Sequence, residues 1–263
     1  MRYLDGPRPR LFAHRGASGT HPENTLPAFA AGLAAGADRL ELDVHGTLDG
    51  EIVVLHDPSV DRTTDGHGEV RRLTLDAIRG FDAGHRFTAP DGSHPHRGRS
   101  IRIPTLAALL AAHPGVPLNV EIKQAEPPIV ERVLAVLDAH DARAHTLLAA
   151  EQGAIMTHIR AAAPDVLTSH SAPEVADFVY RLREGRLHGY RPPGVAFQVP
   201  PSYGEVTIVT AESVRIAHAL GVEVHVWTIN DAAEMKALLA LGVDGIMTDL
   251  PAVAAGVLGR ARS

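Results

Sequence analysis

Four short polar clusters carry side chains able to act on a charged, oxygen-rich substrate: His14-Arg15, Glu41 with Asp43, His56-Asp57, and Asn119-Val120-Glu121-Ile122-Lys123. Side chains alternate between the two faces of an extended strand, so Glu41 and Asp43 share a face, and so do Asn119, Glu121 and Lys123. Three carboxylates brought together are costly without compensation. The compensating charge is either Arg15 with Lys123 or a bound metal ion. An all-oxygen donor set of Glu41, Asp43 and Glu121 favours Mg²⁺ or Ca²⁺ over zinc. His14 and His56 add two groups that exchange protons near neutral pH, where an unperturbed imidazole titrates at about 6.5. His45 is left outside this set, on the reading that strand alternation turns it away from the carboxylates.

Each cluster alone also has an ordinary reading. A strand-end His can be a hydrogen-bonded structural residue, a carboxylate pair a salt-bridged rim, and Asn-x-Glu-x-Lys an amphipathic strand. What favours chemistry is their shared position at the carboxyl ends of successive strand candidates, because in a barrel of parallel strands those ends converge on one rim.

Short apolar runs alternate with helix-like segments along the chain, the pattern of repeated strand-helix units. The strand candidates are Leu11–His14, Leu40–Val44, Ile52–His56, Leu118–Ile122, Thr146–Ala149, Val166–Ser169, Val195–Val199, Val222–Thr228 and Gly245–Thr248. These are nine runs for the eight places of a (β/α)₈ barrel. The surplus lies at Leu40–Val44 and Ile52–His56, whose link Gly46-Thr47-Leu48-Asp49-Gly50 is too short for a parallel crossover and predicts local antiparallel pairing. Helices are predicted at Pro27–Ala35, Leu106–Ala112, Pro128–Ala139, Ala172–Glu184, Ala211–Leu220, Ala232–Leu241 and Ala252–Leu258, with Thr105 and Asp231 as N-caps. Residues 58–102 break the rhythm. This Gly-, Asp-, His-, Arg- and Thr-rich stretch, helical only at Leu73–Ile78, reads as an insertion in a single domain spanning residues 1–263.

The 263 residues, 45% hydrophobic and only 4% aromatic, suit small side chains packing helices onto a parallel sheet in one α/β domain. A net charge of −6 argues against nucleic acid as a partner. With no Cys, disulfides, thiolate nucleophiles and zinc–sulfur sites are excluded. The opening residues Met1–Arg10 hold no signal-like apolar core and no transmembrane run follows, so the expectation is a cytoplasmic protein without a stable membrane anchor.

The ordered motifs resemble those of glycerophosphodiester phosphodiesterases. They are Ala13-His14-Arg15-Gly16-Ala17-Ser18-Gly19-Thr20-His21-Pro22-Glu23-Asn24-Thr25, then Glu41-Leu42-Asp43-Val44-His45, His56-Asp57, Asp61-Arg62-Thr63-Thr64, Ile103-Pro104-Thr105-Leu106, Asn119–Lys123, Val226-Trp227-Thr228-Ile229-Asn230 and Gly242–Pro251. The resemblance spans nearly the whole chain and is weakest over residues 125–195. It implies a (β/α)₈ TIM barrel that hydrolyses small glycerophosphodiesters to sn-glycerol 3-phosphate and an alcohol. By the same resemblance His14 and His56 are acid and base, and Glu41, Asp43 and Glu121 hold one divalent cation, Mg²⁺ or Ca²⁺. Arg15 and Lys123 would contact phosphate, Trp227 would wall the pocket, and Asn24 would serve either the rim or the substrate. Which His is acid, and whether water or a substrate hydroxyl attacks, stay open. Alternatives are a lysophospholipase D-like or cyclising phosphodiesterase on lipid-tailed substrates, an enolase-like proton abstraction, and a noncatalytic binding barrel. Phe197, Gln198 and Tyr203 are candidates for setting specificity.

Overall fold

The computed structural model describes residues 2–260. Its strands are β1 (Arg10–His14), β2 (Arg39–Gly46), β3 (Ile52–Val54), β4 (Leu118–Ile122), β5 (Thr146–Ala149), β6 (Leu167–Thr168), β7 (Ala196–Val199), β8 (Ser202–Tyr203), β9 (Val206–Thr207), β10 (Glu223–Val226) and β11 (Gly245–Thr248). The helices are α1 (Leu26–Ala34), α2 (Leu75–Arg79), α3 (Leu106–Ala112), α4 (Val130–Ala139), α5 (Gly153–Ala162), α6 (Ala172–Arg183), α7 (Ala211–Ala219), α8 (Ala232–Ala240) and α9 (Pro251–Val257). Among the described residues, no helix is long and apolar enough to cross a membrane.

Eight strands lie side by side in the order β6-β5-β4-β2-β1-β11-β10-β7, each pair parallel. The two ends meet through a bridge between Ser169 and Ala196, where Val195 N donates to Thr168 O at 2.9 Å and His170 N to Ala196 O at 3.1 Å. The expected (β/α)₈ barrel is therefore present, nearly closed. β3 lies off this path and pairs antiparallel with β2, Val44 opposite Val54 and Gly46 opposite Ile52, as the short link between them predicts.

Alternation along β2 decides which residues meet the helices. Leu40, Leu42 and Val44 point outward into a cluster with Leu106, Leu109 and Leu110 of α3 and Val133 and Leu137 of α4, all buried. Each such side chain contributes roughly 1.5–3 kcal/mol by leaving water. Glu41 and Asp43 are consequently turned inward. Several helices begin where a side chain satisfies the free amides of the first turn. Thr105 accepts from Ala108 N at 3.1 Å and Asp231 from Glu234 N at 2.8 Å, both as predicted.

Two elements depart from expectation. Helix α5 opens on Gly153 with no side-chain cap, so its start signal is missing from the sequence, yet Ile155, Met156 and Ile159 bury one face of it. The hairpin β8–β9 turns at Gly204, where φ is +56°, and its two-residue strands are too short to show an alternation. Residues 58–102 carry a 3₁₀ turn (Val70–Arg72) and α2 around a separate apolar cluster of Val53, Leu55, Val60, Val70, Ile78 and Ile103.

The barrel floor, at the amino ends of the strands, is closed by residues 3–5. Arg39 donates through Nη2 to Tyr3 O at 2.6 Å and Asp5 O at 2.8 Å. Arg10, itself 1% exposed, forks onto Glu223 with Nε–Oε2 of 2.7 Å and Nη2–Oε1 of 2.6 Å. Burial alone would raise the Glu223 pKa, but hydrogen bonds from Arg10 and His225 and their charges hold it down at about 2. A depressed carboxylate pKa stabilises the fold fully above the ordinary value near 4.5 and loses that contribution as pH falls towards 2. Glu223→Gln should lower unfolding free energy at pH 7 by on the order of 3 kcal/mol. In urea melts, its deficit relative to wild type should narrow as pH is taken below about 4.5.

Candidate active site

At the opposite end, neighbouring strands β2 and β4 bring Glu41, Asp43 and Glu121 together. One oxygen from each lies within 4.8 Å of the others, and Glu41 and Asp43 are 4% and 1% exposed. The register explains the approach, since β2 and β4 place Asp43 directly beside Glu121 and Glu41 beside Asn119. Two cations answer this charge. Lys123 Nζ sits 2.8 Å from Glu121 Oε1 and 3.3 Å from Asp43 Oδ1, and Arg15 Nε lies 3.2 Å from Asp43 Oδ2.

The chain bends sharply to deliver Arg15. Its φ is 55°, and in that left-handed conformation its amide donates to Glu41 Oε2 at 3.0 Å. Gly16 follows at φ +84°, where an added Cβ would come within 2.5 Å of Ala28 C in α1, so only glycine lets the turn pack on that helix. Asn24, 1% exposed, also adopts a left-handed φ of 57° and donates through Nδ2 to Asp43 Oδ2 at 2.9 Å. Of the two roles open to Asn24 in the sequence, this contact is the rim-building one.

Electrostatics in the cluster follow from burial against unequal compensation. Burial, then the neighbouring charge of Asp43, pushes Glu41 up to about 7. Burial likewise raises Glu121 despite Lys123 beside it. Asp43 is held below the usual carboxylate range because Lys123 and Arg15 outweigh its burial. Three carboxylates against two cations leave a deficit of positive charge, and the free donor atoms are all oxygens. That set fits a hard divalent ion.

A His–Asp pair stands on each side of the carboxylates. His14 Nδ1 meets Asp249 Oδ1 at 2.7 Å, leaving Nε2 facing the cluster at 3.9 Å from Glu41 Oε2. Burial opposes protonation of His14, but the Asp249 hydrogen bond and the Glu41 charge prevail and raise its pKa. Asp249 in turn accepts from Ser18 Oγ and Asn230 Nδ2, each at 2.7 Å. On the other side His56 Nδ1 meets Asp57 Oδ1 at 2.7 Å. A carboxylate accepts only, so both imidazoles carry their Nδ1 proton and present Nε2.

These groups line one side of a cavity of about 790 Å³. Its other side is largely apolar, walled by Val175, Val179 and Tyr180 of α6, by Tyr203 and Val206 of the hairpin, and by Trp227, with Arg183 at the end of α6. The structure thus gathers His14, Arg15, Glu41, Asp43, His56, Glu121, Lys123 and Trp227 around a single cavity. Gln198 reaches it too, donating to Asn119 Oδ1 at 2.7 Å. Phe197, by contrast, is 3% exposed and stacks on Phe178 at 4.3 Å, a packing residue.

The sequence profile of the Glycerophosphoryl diester phosphodiesterase family matches residues 14–253, the span that holds this whole cavity. The chain belongs to that family. A glycerophosphodiester phosphodiesterase of Caldanaerobacter subterraneus subsp. tengcongensis is 31% identical over 92% of this chain and 94% of its own. A phosphodiesterase of Oleispira antarctica, solved in complex with the product sn-glycerol-3-phosphate, is 25% identical and superposes with a TM-score of 0.77 over 96% of this chain and 97% of its own. The glycerophosphoryl diester phosphodiesterase domain of a Mycobacterium tuberculosis protein superposes with a TM-score of 0.83 over 96% of this chain and 99% of its own; at 23% identity it speaks for the fold alone.

In this family member, Asp249 and Glu23 hold His14 and Arg15, and Asn230 and Arg62 hold those two acids in turn, yet none of the four receives a role from the sequence. The signal available for Asp249 is its place just beyond β11, where a carboxylate joins the same rim. His45 lines neither the cavity nor the carboxylate trio, but the alternation argument for leaving it out does not hold. Positions 43 and 45 have the same parity, and His45 Nε2 contacts the His56 carbonyl at 3.0 Å, steadying the backbone of the second imidazole.

Asn24→Ala removes a hydrogen bond to a buried charge, worth about 1.5–3 kcal/mol, at a backbone angle that Ala adopts poorly. Urea unfolding should register a loss of roughly 2–4 kcal/mol, and Asn24→Asp a larger one, because it sets a fourth carboxylate against Asp43.

Proposed function

We propose that this chain is a divalent-cation-dependent phosphodiesterase that hydrolyses glycerophosphodiesters to sn-glycerol 3-phosphate and an alcohol, with His14 and His56 dividing the acid and base work. The observation that carries this reading is the flanking of one largely buried carboxylate trio by two separate His–Asp pairs, each at 2.7 Å. The printed activity of the Caldanaerobacter relative and the product held by the Oleispira neighbour support the same substrate class.

A phosphodiester carries one negative charge, and more accumulates on its oxygens as attack proceeds. Arg15 and Lys123 bring fixed positive charge to that place. Glu41, Asp43 and Glu121 would hold the cation, Mg²⁺ or Ca²⁺, which when bound supplies Lewis-acid charge at the phosphoryl oxygens. With Nδ1 fixed by a carboxylate, each imidazole exchanges protons through Nε2 alone, so one accepts the proton of the attacking oxygen and the other supplies the departing alcohol. Asp249 and Asp57 keep both rings in the required tautomer. In this reading the barrel is one domain, residues 58–102 are an insertion buttressing the His56 side, and Trp227 walls the pocket.

Release of glycerol 3-phosphate from glycerophosphocholine should require Mg²⁺ or Ca²⁺, stop with chelator and resume on adding metal back. His14→Ala and His56→Ala should each lower kcat by about 10²–10⁴-fold. Asp43→Asn should remove the response to metal. Turnover by wild type that chelator leaves untouched would contradict the role given to the carboxylates.

The apolar wall formed by α6 and the hairpin favours a second reading, activity on lipid-tailed substrates. Val179→Glu should then depress turnover of lysophosphatidylcholine while sparing glycerophosphocholine. Equal effects on both substrates would count against a tail in that chamber.

A further inference from the structure

Arg62 lies outside the cavity on the loop after β3, and it touches neither the carboxylate trio nor either imidazole. Its guanidinium nevertheless engages two carboxylates at once. Nε and Nη2 donate to Asp57, at 2.6 Å from Oδ2 and 3.1 Å from Oδ1. Nη1 and Nη2 donate to Glu23, at 2.7 Å from Oε2 and 2.7 Å from Oε1. Each of these acids then holds a cation or imidazole of the site: Asp57 accepts from His56 Nδ1 at 2.7 Å, and Glu23 from Arg15 Nη1 at 3.0 Å.

The resulting chain of contacts runs His56–Asp57–Arg62–Glu23–Arg15 and ends on Asp43. It joins two loops that no strand pairing connects, the turn after β1 and the segment after β3. Without Arg62, Asp57 and Glu23 would be two like charges facing each other. A planar guanidinium has the fork geometry to bind both in pairs of parallel bonds, which a lysine cannot do. Arg62 is 47% exposed as a side chain, so the ion pairs themselves contribute little to stability. What they supply is direction, since both bidentate contacts are geometrically restrictive.

We infer that Arg62 is a positioning residue for the reaction, orienting His56 through Asp57 and Arg15 through Glu23 from one guanidinium. The inference rests on the proposed roles of His56 and Arg15. It divides into two arms with different kinetic signatures. The Asp57 arm acts on proton transfer and appears in kcat. The Glu23 arm acts on the phosphate-facing cation, whose charge meets both the bound diester and the charge that builds on it, and appears in KM as well as in kcat.

The test is steady-state kinetics of metal-loaded enzyme with glycerophosphocholine, using Asp57→Asn, Glu23→Gln, Arg62→Gln and Arg62→Lys, with Arg71→Gln as a control that removes another surface ion pair, to Glu69. Asp57→Asn should lower kcat with KM little changed, and Glu23→Gln should raise KM and lower kcat. Arg62→Gln should do both, lowering kcat/KM by roughly 10²-fold, the scale of a misplaced catalytic group. Arg62→Lys should recover only part of this, and Arg71→Gln should match wild type. Combining Arg62→Gln with Asp57→Asn should lower kcat by less than the product of the two single losses, because both act on one ring.

A second measurement does not depend on turnover. In proton–nitrogen spectra of the histidine rings, the His56 signal, identified by its loss in His56→Ala, should show a protected Nδ1 proton in wild type that exchanges with solvent in Arg62→Gln. Wild-type kinetics in Arg62→Gln, or losses that multiply in the double variant, overturn the inference. If wild type cleaves no glycerophosphodiester, the functional reading fails by itself, and the spectra still decide Arg62: an Nδ1 proton equally protected in the variant overturns it.

Discussion

Placing three carboxylates inside one end of a barrel is the constraint to which the rest of the upper rim responds. β2 and β4 are in register so that Asp43 lies directly beside Glu121, and the outward demand of Leu40, Leu42 and Val44 leaves Glu41 and Asp43 no other direction. Like charges at that separation are tolerable only with compensation close by. The rim supplies it through backbone conformations that the chain would otherwise avoid. Arg15 and Asn24, two of the few non-glycine residues with positive φ, both spend that strain on the cluster, one through its amide on Glu41 and the other through its side chain on Asp43. Strain concentrated where charge must be managed is the usual sign of a working site rather than a packed core.

The two ends of the barrel solve the charge problem differently. At the floor, Arg10 meets Glu223 through two bonds, His225 adds a third, and the backbone oxygens of residues 3–5 take up Arg39. There Arg10 has its counter-charge, Arg39 is held by backbone oxygens, and chain closes over both. At the rim, two cations face three acids, and a cavity stands open in front of them. Closed-off charge at the floor suits stability, and open, undercompensated charge at the rim suits binding, in keeping with the division of labour between the two faces of this fold.

Much of this was legible from residue order. The period of two in Glu41-Leu42-Asp43 and Asn119-Val120-Glu121 placed the acids on inward faces, and the five-residue link after Gly46 led to the antiparallel β3. What stayed illegible depended on contacts between distant positions. Asp249 pairs with His14 across 235 positions, and Arg62 reaches Glu23 across 39, so no local pattern announces either. Helix α5 lacks a capping residue, and β8–β9 is held by two opposed residue pairs, so neither leaves a periodic trace. The error at His45 was of another kind, a face assigned against the parity of its own strand.

The longest register in the barrel lies at the carboxylates. β2 and β4 share five registered positions, and these carry Glu41, Asp43 and Glu121. Three strand pairs away around the barrel, β6 is two residues long and meets β7 through the Ser169–Ala196 bridge and the hydrogen bonds beside it. That weak seam borders the largely apolar half of the cavity, where α6 and the hairpin supply most of the wall. A carboxylate displaced by an ångström changes the field at the reacting centre, whereas an apolar wall tolerates the same shift at small cost. Rigidity is therefore placed where charges must converge, and the looser closure falls on the side whose task is to accommodate shape.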